Sequence, residues 1–148
     1  MPHALIGYAG STLNAAKIYH NNFPDEPLTV LVDYFGKEIS DTLEVCKYYE
    51  KLIKEKKLFI RLDTHGGRYI EGLDMEKSYN ILEKFNPNCI RTYRNEQELK
   101  WLVGAGVSAA AIIYLRSILD ENSYANVKID RKSTRLNSSH ANISYAVF

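Results

Sequence analysis

Two short runs carry residues that could do chemistry. "LTVLVD" ends in Asp33, and "LFIRLD" ends in Asp63 with Arg61 two residues earlier. Each is an apolar, β-branched run that stops at a carboxylate, the pattern of a strand leaving a core. In parallel α/β architectures the loops after the strands converge on one face, so functional groups collect at the carboxyl ends. Arg61 and Asp63 stand at i and i+2 and therefore project to the same side of their strand. An arginine within a strand is costly to bury unless something anionic meets it. A neighbouring carboxylate would serve, and so would a substrate carboxylate gripped by the planar guanidinium. Two readings therefore stay open: an internal ion pair and a substrate contact. Asp33 taken alone reads as a loop or cap residue. His65 with Gly66 and Gly67 reads as a turn, because a G-G pair alone is a weak phosphate signal. The residues alone leave His3, behind Pro2, without a role.

The elements that must hold these residues follow from the periodicity. "LTVLVDYF" (28–35) and "KLFIRLD" (57–63) read as strands, and "VKI" (127–129) begins a third. "EISDTLEVCKYYEKLIKE" (38–55) carries a helical stripe through Ile39, Leu43, Cys46, Tyr49 and Ile53. Asp74 is a candidate N-cap for "MEKSYNILEKF", and Asn95 with Glu98 resembles a capping box. "VSAAAIIYLRSIL" (107–119) is apolar most of the way round, as a helix buried on two sides would be. "ALIGY" fits a short strand or a helical turn. The order is strand, helix, strand, three helices, strand. It predicts one α/β domain with a parallel sheet covered by helices, either an open sheet or a (β/α) barrel.

Composition narrows the classes. The chain has 148 residues, 45% apolar and 25% charged, long enough for one domain with its own core. Lys and Arg number 19 against 18 Asp and Glu, a net charge of +1, which gives no reason to expect a nucleic-acid or membrane-surface partner. Cys46 and Cys89 form no metal-ligand or redox spacing and read as small buried hydrophobes. The uncharged run "WLVGAGVSAAAIIYL" falls short of the ~20 residues of a membrane span, and no secretory signal is visible. The expected compartment is cytoplasmic.

Residues 130–148, "DRKSTRLNSSHANISYAVF", differ in character from everything before them. They resemble the in-frame translation of a sequencing-library adapter and are set aside from fold and function. Arg131, Lys132 and Arg135 against Asp130 give this tail +2, which leaves −1 for the rest.

"MPHALIGYAGSTLNAAKIYHNNF", "VLVDYF" and "IRLDTHGG", in that order and spacing, resemble the barrel half of the nicotinate phosphoribosyltransferases, which are type II phosphoribosyltransferases. The resemblance covers residues 1 to about 129. It implies a partial (β/α) barrel truncated at both ends. It also implies transfer of a phosphoribosyl group from phosphoribosyl pyrophosphate to nicotinate, coupled to ATP hydrolysis, in NAD biosynthesis. Under it, Asp33 and Asp63 match positions near the ribose hydroxyls and Mg²⁺. Arg61 matches the clamp on the nicotinate carboxylate, with Thr64 and His65 beside the substrate. His3 matches the histidine that ATP-coupled members phosphorylate. The implied cofactors are Mg²⁺ and ATP, and the implied assembly is a homodimer or larger in which a second subunit completes the site. The sequence departs from the family at Tyr34, where Thr is frequent, and at "RLDTHGG", where "RLDSGD" is frequent. The alternatives are a quinolinate- or nicotinamide-type transferase, or a non-catalytic α/β interaction module in which the charged residues are structural.

Overall fold

A computed structural model describes residues 1–131. Two helices come first, α1 (His3–Ala9) and α2 (Thr12–Asn22). They are followed by β1 (Leu28–Leu31), α3 (Glu38–Tyr48), α4 (Glu50–Lys54) and β2 (Leu58–Leu62). The chain continues through α5 (Met75–Phe85), a 3₁₀ turn (Ile90–Thr92), α6 (Glu96–Val103), α7 (Ala109–Glu121) and β3 (Lys128–Arg131). The strands form a parallel sheet in the order β1-β2-β3. Leu28 lies opposite Leu58 and Leu31 opposite Arg61; Phe59 lies opposite Lys128 and Arg61 opposite Asp130. The class is therefore α/β with helices packed on a small parallel sheet. The adapter-like segment lies outside the described residues from 132 onward, while Asp130 and Arg131 continue β3.

Alternation in β2 sets the two faces. Leu58, Ile60 and Leu62 are fully buried, while Phe59 and Arg61 between them are half-buried. The buried side meets Val45, Cys46, Leu52 and Ile53 from α3 and α4, and Ile112, Leu115 and Leu119 from α7. On the other side, Ile6 of α1 and Ala15 of α2 pack against Leu31. Away from the sheet, Leu82, Ile90, Trp101, Leu102, Val103 and Ile113 bind α5, α6 and α7 into a helical subcore. Cys46 is fully enclosed, and burial pushes its thiol up to about 12, so it is an inert core residue.

The helix ends are closed by side chains. Ser11, Asp74, Asn95 and Ser108 accept from the backbone N–H groups of Asn14, Lys77, Glu98 and Ala111. Glu98 accepts in return from the N–H of Arg94, one residue before the cap. "ALIGY" is helical, inside α1. The single helix expected over 38–55 breaks at Tyr49, whose φ of −108° and ψ of 38° leave the helical region. The i→i−4 bonds run through the break, from Tyr49 to Val45 and from Ile53 to Tyr49, so the apolar stripe gives no sign of it. The strand expected over 28–35 stops at Leu31. A turn from Asp33 to Gly36 ends it, and Gly36 adopts a φ of 70° that favours glycine.

Candidate functional site

The carboxyl ends of β1 and β2 open on the same side of the sheet, as parallel strands require. Their register differs by the same step along its length, so the line that puts Leu31 beside Arg61 leads on to Asp33 beside Asp63. His3, the first residue of α1, reaches this point from a different element. Its Nε2 lies 3.2 Å from both carboxylate oxygens of Asp33 and 3.8 Å from Asp63 Oδ2. Asp33 is only 13% exposed and His3 44%, so the imidazole stands at the mouth and the carboxylate behind it.

Arg61 projects on the same face but finds a different partner from the one an i, i+2 ion pair would give it. Its Nη2 lies 3.5 Å from Asp130 of β3, and its Nε is buried with no hydrogen-bond partner among the described residues. The Arg61 side chain remains 42% exposed, which leaves it accessible to an anion. Thr64 is buried, and its hydroxyl donates to Glu38 Oε2 at 2.7 Å. His65 is exposed, and its Nδ1 accepts from the N–H of Gly67 at 3.0 Å, folding the ring over its own turn. Of the residues singled out by sequence, the fold thus joins His3, Asp33 and Asp63 directly. Arg61 sits one step down β2, Thr64 is turned inward, and His65 stands apart.

Sequence reasoning gave no structural role to Glu38, Arg68 or Glu71. Glu38 opens α3 and is fully buried. Its Oε2 takes a 2.7 Å ion pair from Arg68 Nη2 as well as the Thr64 hydroxyl, and its Oε1 accepts from the Glu71 N–H at 3.0 Å. Burial alone would raise its pKa, but the Arg68 and Thr64 donors and the backbone N–H groups outweigh that and hold the carboxyl below its ordinary value. The same Arg68 nitrogen donates to the carbonyl of Asp33 at 2.8 Å. Glu71 closes the start of α3, accepting from the N–H groups of Ile39 and Ser40 and from the Ser40 hydroxyl. Gly106, between α6 and α7, donates its N–H to the Arg68 carbonyl at 2.7 Å; a Cβ there would lie 3.1 Å from Gly66 Cα. The only sequence signal for Arg68 is its place directly after Gly66-Gly67, and Glu38 looks like any first-turn acid.

Comparison of the chain with protein-family models, with curated proteins and with solved structures finds no match. Among the described residues no group of three or more His, Cys, Asp or Glu is placed to hold a metal ion, and no helix is long and apolar enough to cross a membrane.

Proposed function

We propose that this chain is part of the barrel domain of a nicotinate phosphoribosyltransferase, a cytoplasmic enzyme of NAD biosynthesis. The observation that carries the reading is the meeting of His3, Asp33 and Asp63 from three separate elements at the exits of two adjacent parallel strands. Phosphoribosyl transfer breaks the bond from ribose C1 to pyrophosphate through an oxocarbenium-like state, which needs negative charge near the ribose and cations near the leaving group. Asp33 and Asp63 supply the negative charge. They are also a fitting donor set for Mg²⁺, which takes one or two protein carboxylates and keeps waters and phosphate oxygens for its other positions. Bound there, the ion would neutralise the pyrophosphate.

With Asp33 accepting at Nε2, the imidazole proton is held on that nitrogen and the lone pair falls on Nδ1. Nδ1 would then be the atom to accept the γ-phosphoryl group of bound ATP, with ADP leaving and Asp33 stabilising the charge on the ring. The exposed part of Arg61 is suited to the nicotinate carboxylate. In this reading the three strands belong to a (β/α) barrel, and a second subunit completes the site.

Arg61→Lys tests the reading in the enzyme that holds this segment within its complete barrel. The substitution keeps the charge and loses the fork. Hydrogen bonds to charged groups contribute roughly 1.5–3 kcal/mol each, so nicotinate affinity should fall about tenfold or more. Nicotinamide, without the carboxylate, should be affected far less. The pairing of Arg61 with Asp130 favours a second reading, in which Arg61 only ties β2 to β3. Equal losses for both ligands, together with a lowered melting temperature, would select it.

A further inference from the structure

Glu38 and Arg68 take no part in the chemistry above, yet the backbone at Asp33 and the residue after Asp63 are tied to them. Thr64, which donates to Glu38 at 2.7 Å, is the residue after Asp63. Arg68 Nη2, paired with Glu38 at 2.7 Å, holds the Asp33 carbonyl at 2.8 Å. Its Nη1 reaches the Tyr69 carbonyl at 3.2 Å. One buried carboxylate therefore fixes the exits of β1 and β2 to each other by two routes, one through a hydroxyl and one through a guanidinium. A buried charge is costly and is tolerated only where good geometry and further hydrogen bonds compensate it, as three donors do here. The planar guanidinium fixes the angle between the two Nη2 contacts and the Nη1 contact to Tyr69, a rigidity that a freely rotating lysine ammonium lacks.

We propose that Glu38 and Arg68 are positioning residues that set the spacing of Asp33 and Asp63 around His3 Nε2. The role concerns geometry and stands without any assigned reaction; its kinetic consequence rests on the phosphoribosyl-transfer reading. A misplacement of about 1 Å at a reacting centre lowers rates about 100-fold. The effect should fall on kcat, because the nicotinate contact through Arg61 is left in place.

The direct test is the ¹⁵N resonance of His3 Nε2 in the 148-residue chain labelled on histidine, assigned with His3→Gln. Asp33→Asn supplies the reference for a lost contact. Arg68→Lys and Thr64→Val should each move the resonance toward that reference, and Glu38→Gln should move it furthest. Leu119→Ala, which weakens the core away from the site, should leave it in place. If Glu38→Gln does not fold, the two milder variants decide. An unmoved His3 signal in folded Arg68→Lys and Thr64→Val overturns the positioning role. In the complete enzyme, Arg68→Lys should lower kcat about 100-fold with the nicotinate KM unchanged. A moved signal without any change in nicotinate turnover sustains the positioning role and counts against the proposed reaction.

Discussion

The exits of β1 and β2 and the groove between α5 and α7 use similar side chains to opposite ends. At the strand exits, Glu38 is sealed from solvent and Arg68 is only a third exposed, and the polar atoms between them are matched donor to acceptor. At the groove, a cavity of about 560 Å³ has an apolar lining of Ile81, Phe85, Ile113 and Ile118, with Lys77, Lys84 and Glu121 also on its wall. Lys77 leans over the Tyr114 ring, 4.7 Å from its centre, with its ammonium 3.3 Å from the hydroxyl, an exposed contact. Charge in the first region is committed to one geometry by burial. In the second it is solvated and adaptable, and contributes little to the fold.

Substitution and pH can break this contrast or sharpen it. Glu38→Ala should have the largest effect. Removing one partner of a buried ion pair costs about 3–5 kcal/mol, and the partial exposure of Arg68 places this case at the lower end. Chemical denaturation at neutral pH measures it. The pH dependence has a definite sign. The folded state holds Glu38 below its ordinary value near 4.5, so its stabilisation is present above that value and is lost as pH falls through the lower folded one. The penalty of Glu38→Ala should therefore shrink in acid. An equal penalty at pH 7 and pH 3 would show that the residue acts by packing rather than by charge.

A smaller loss belongs to the helical region. Asp74→Ala removes the acceptor for the Lys77 N–H at 2.7 Å and should cost about 1 kcal/mol. Asp74→Ser should recover most of it in the same denaturation measurement. Smallest of all is Lys77→Ala, expected within about 0.5 kcal/mol of the starting chain, as for other surface changes. A loss above 1 kcal/mol there would mean that the groove wall is built as tightly as the strand exits.

The parts of the molecule that follow local rules were legible in the sequence. The Asp74 and Asn95 caps, the alternation of strands and helices from β1 onward, and the carboxylates at the ends of β1 and β2 all depend on neighbours a few residues away. Glu38 and Arg68 were not legible, because a first-turn acid and a post-turn arginine look like solvated groups until the fold buries them against each other. The partner of Arg61 was hidden for another reason. Setting aside residues 130–148 also removes Asp130, which the parallel register places directly across from Arg61. His3 is the reverse case: unremarkable in its local context, it was singled out only by the family resemblance, and α1 delivers it to Asp33 from thirty residues away.

The two register offsets of the sheet also bear on the order in which contacts can close as the chain is made. β1 and β2 pair across thirty residues (Leu28 to Leu58), whereas β2 and β3 pair across sixty-nine (Phe59 to Lys128). Each doubling of a loop adds about 0.6 kcal/mol to its closure, so the first pairing is the less costly in chain entropy. Asp33, Glu38, Asp63, Thr64, Arg68 and Glu71 all lie within or beside that shorter loop. During synthesis every group of the clamp is therefore present well before β3 exists, and Arg61 must wait for β3 to meet Asp130.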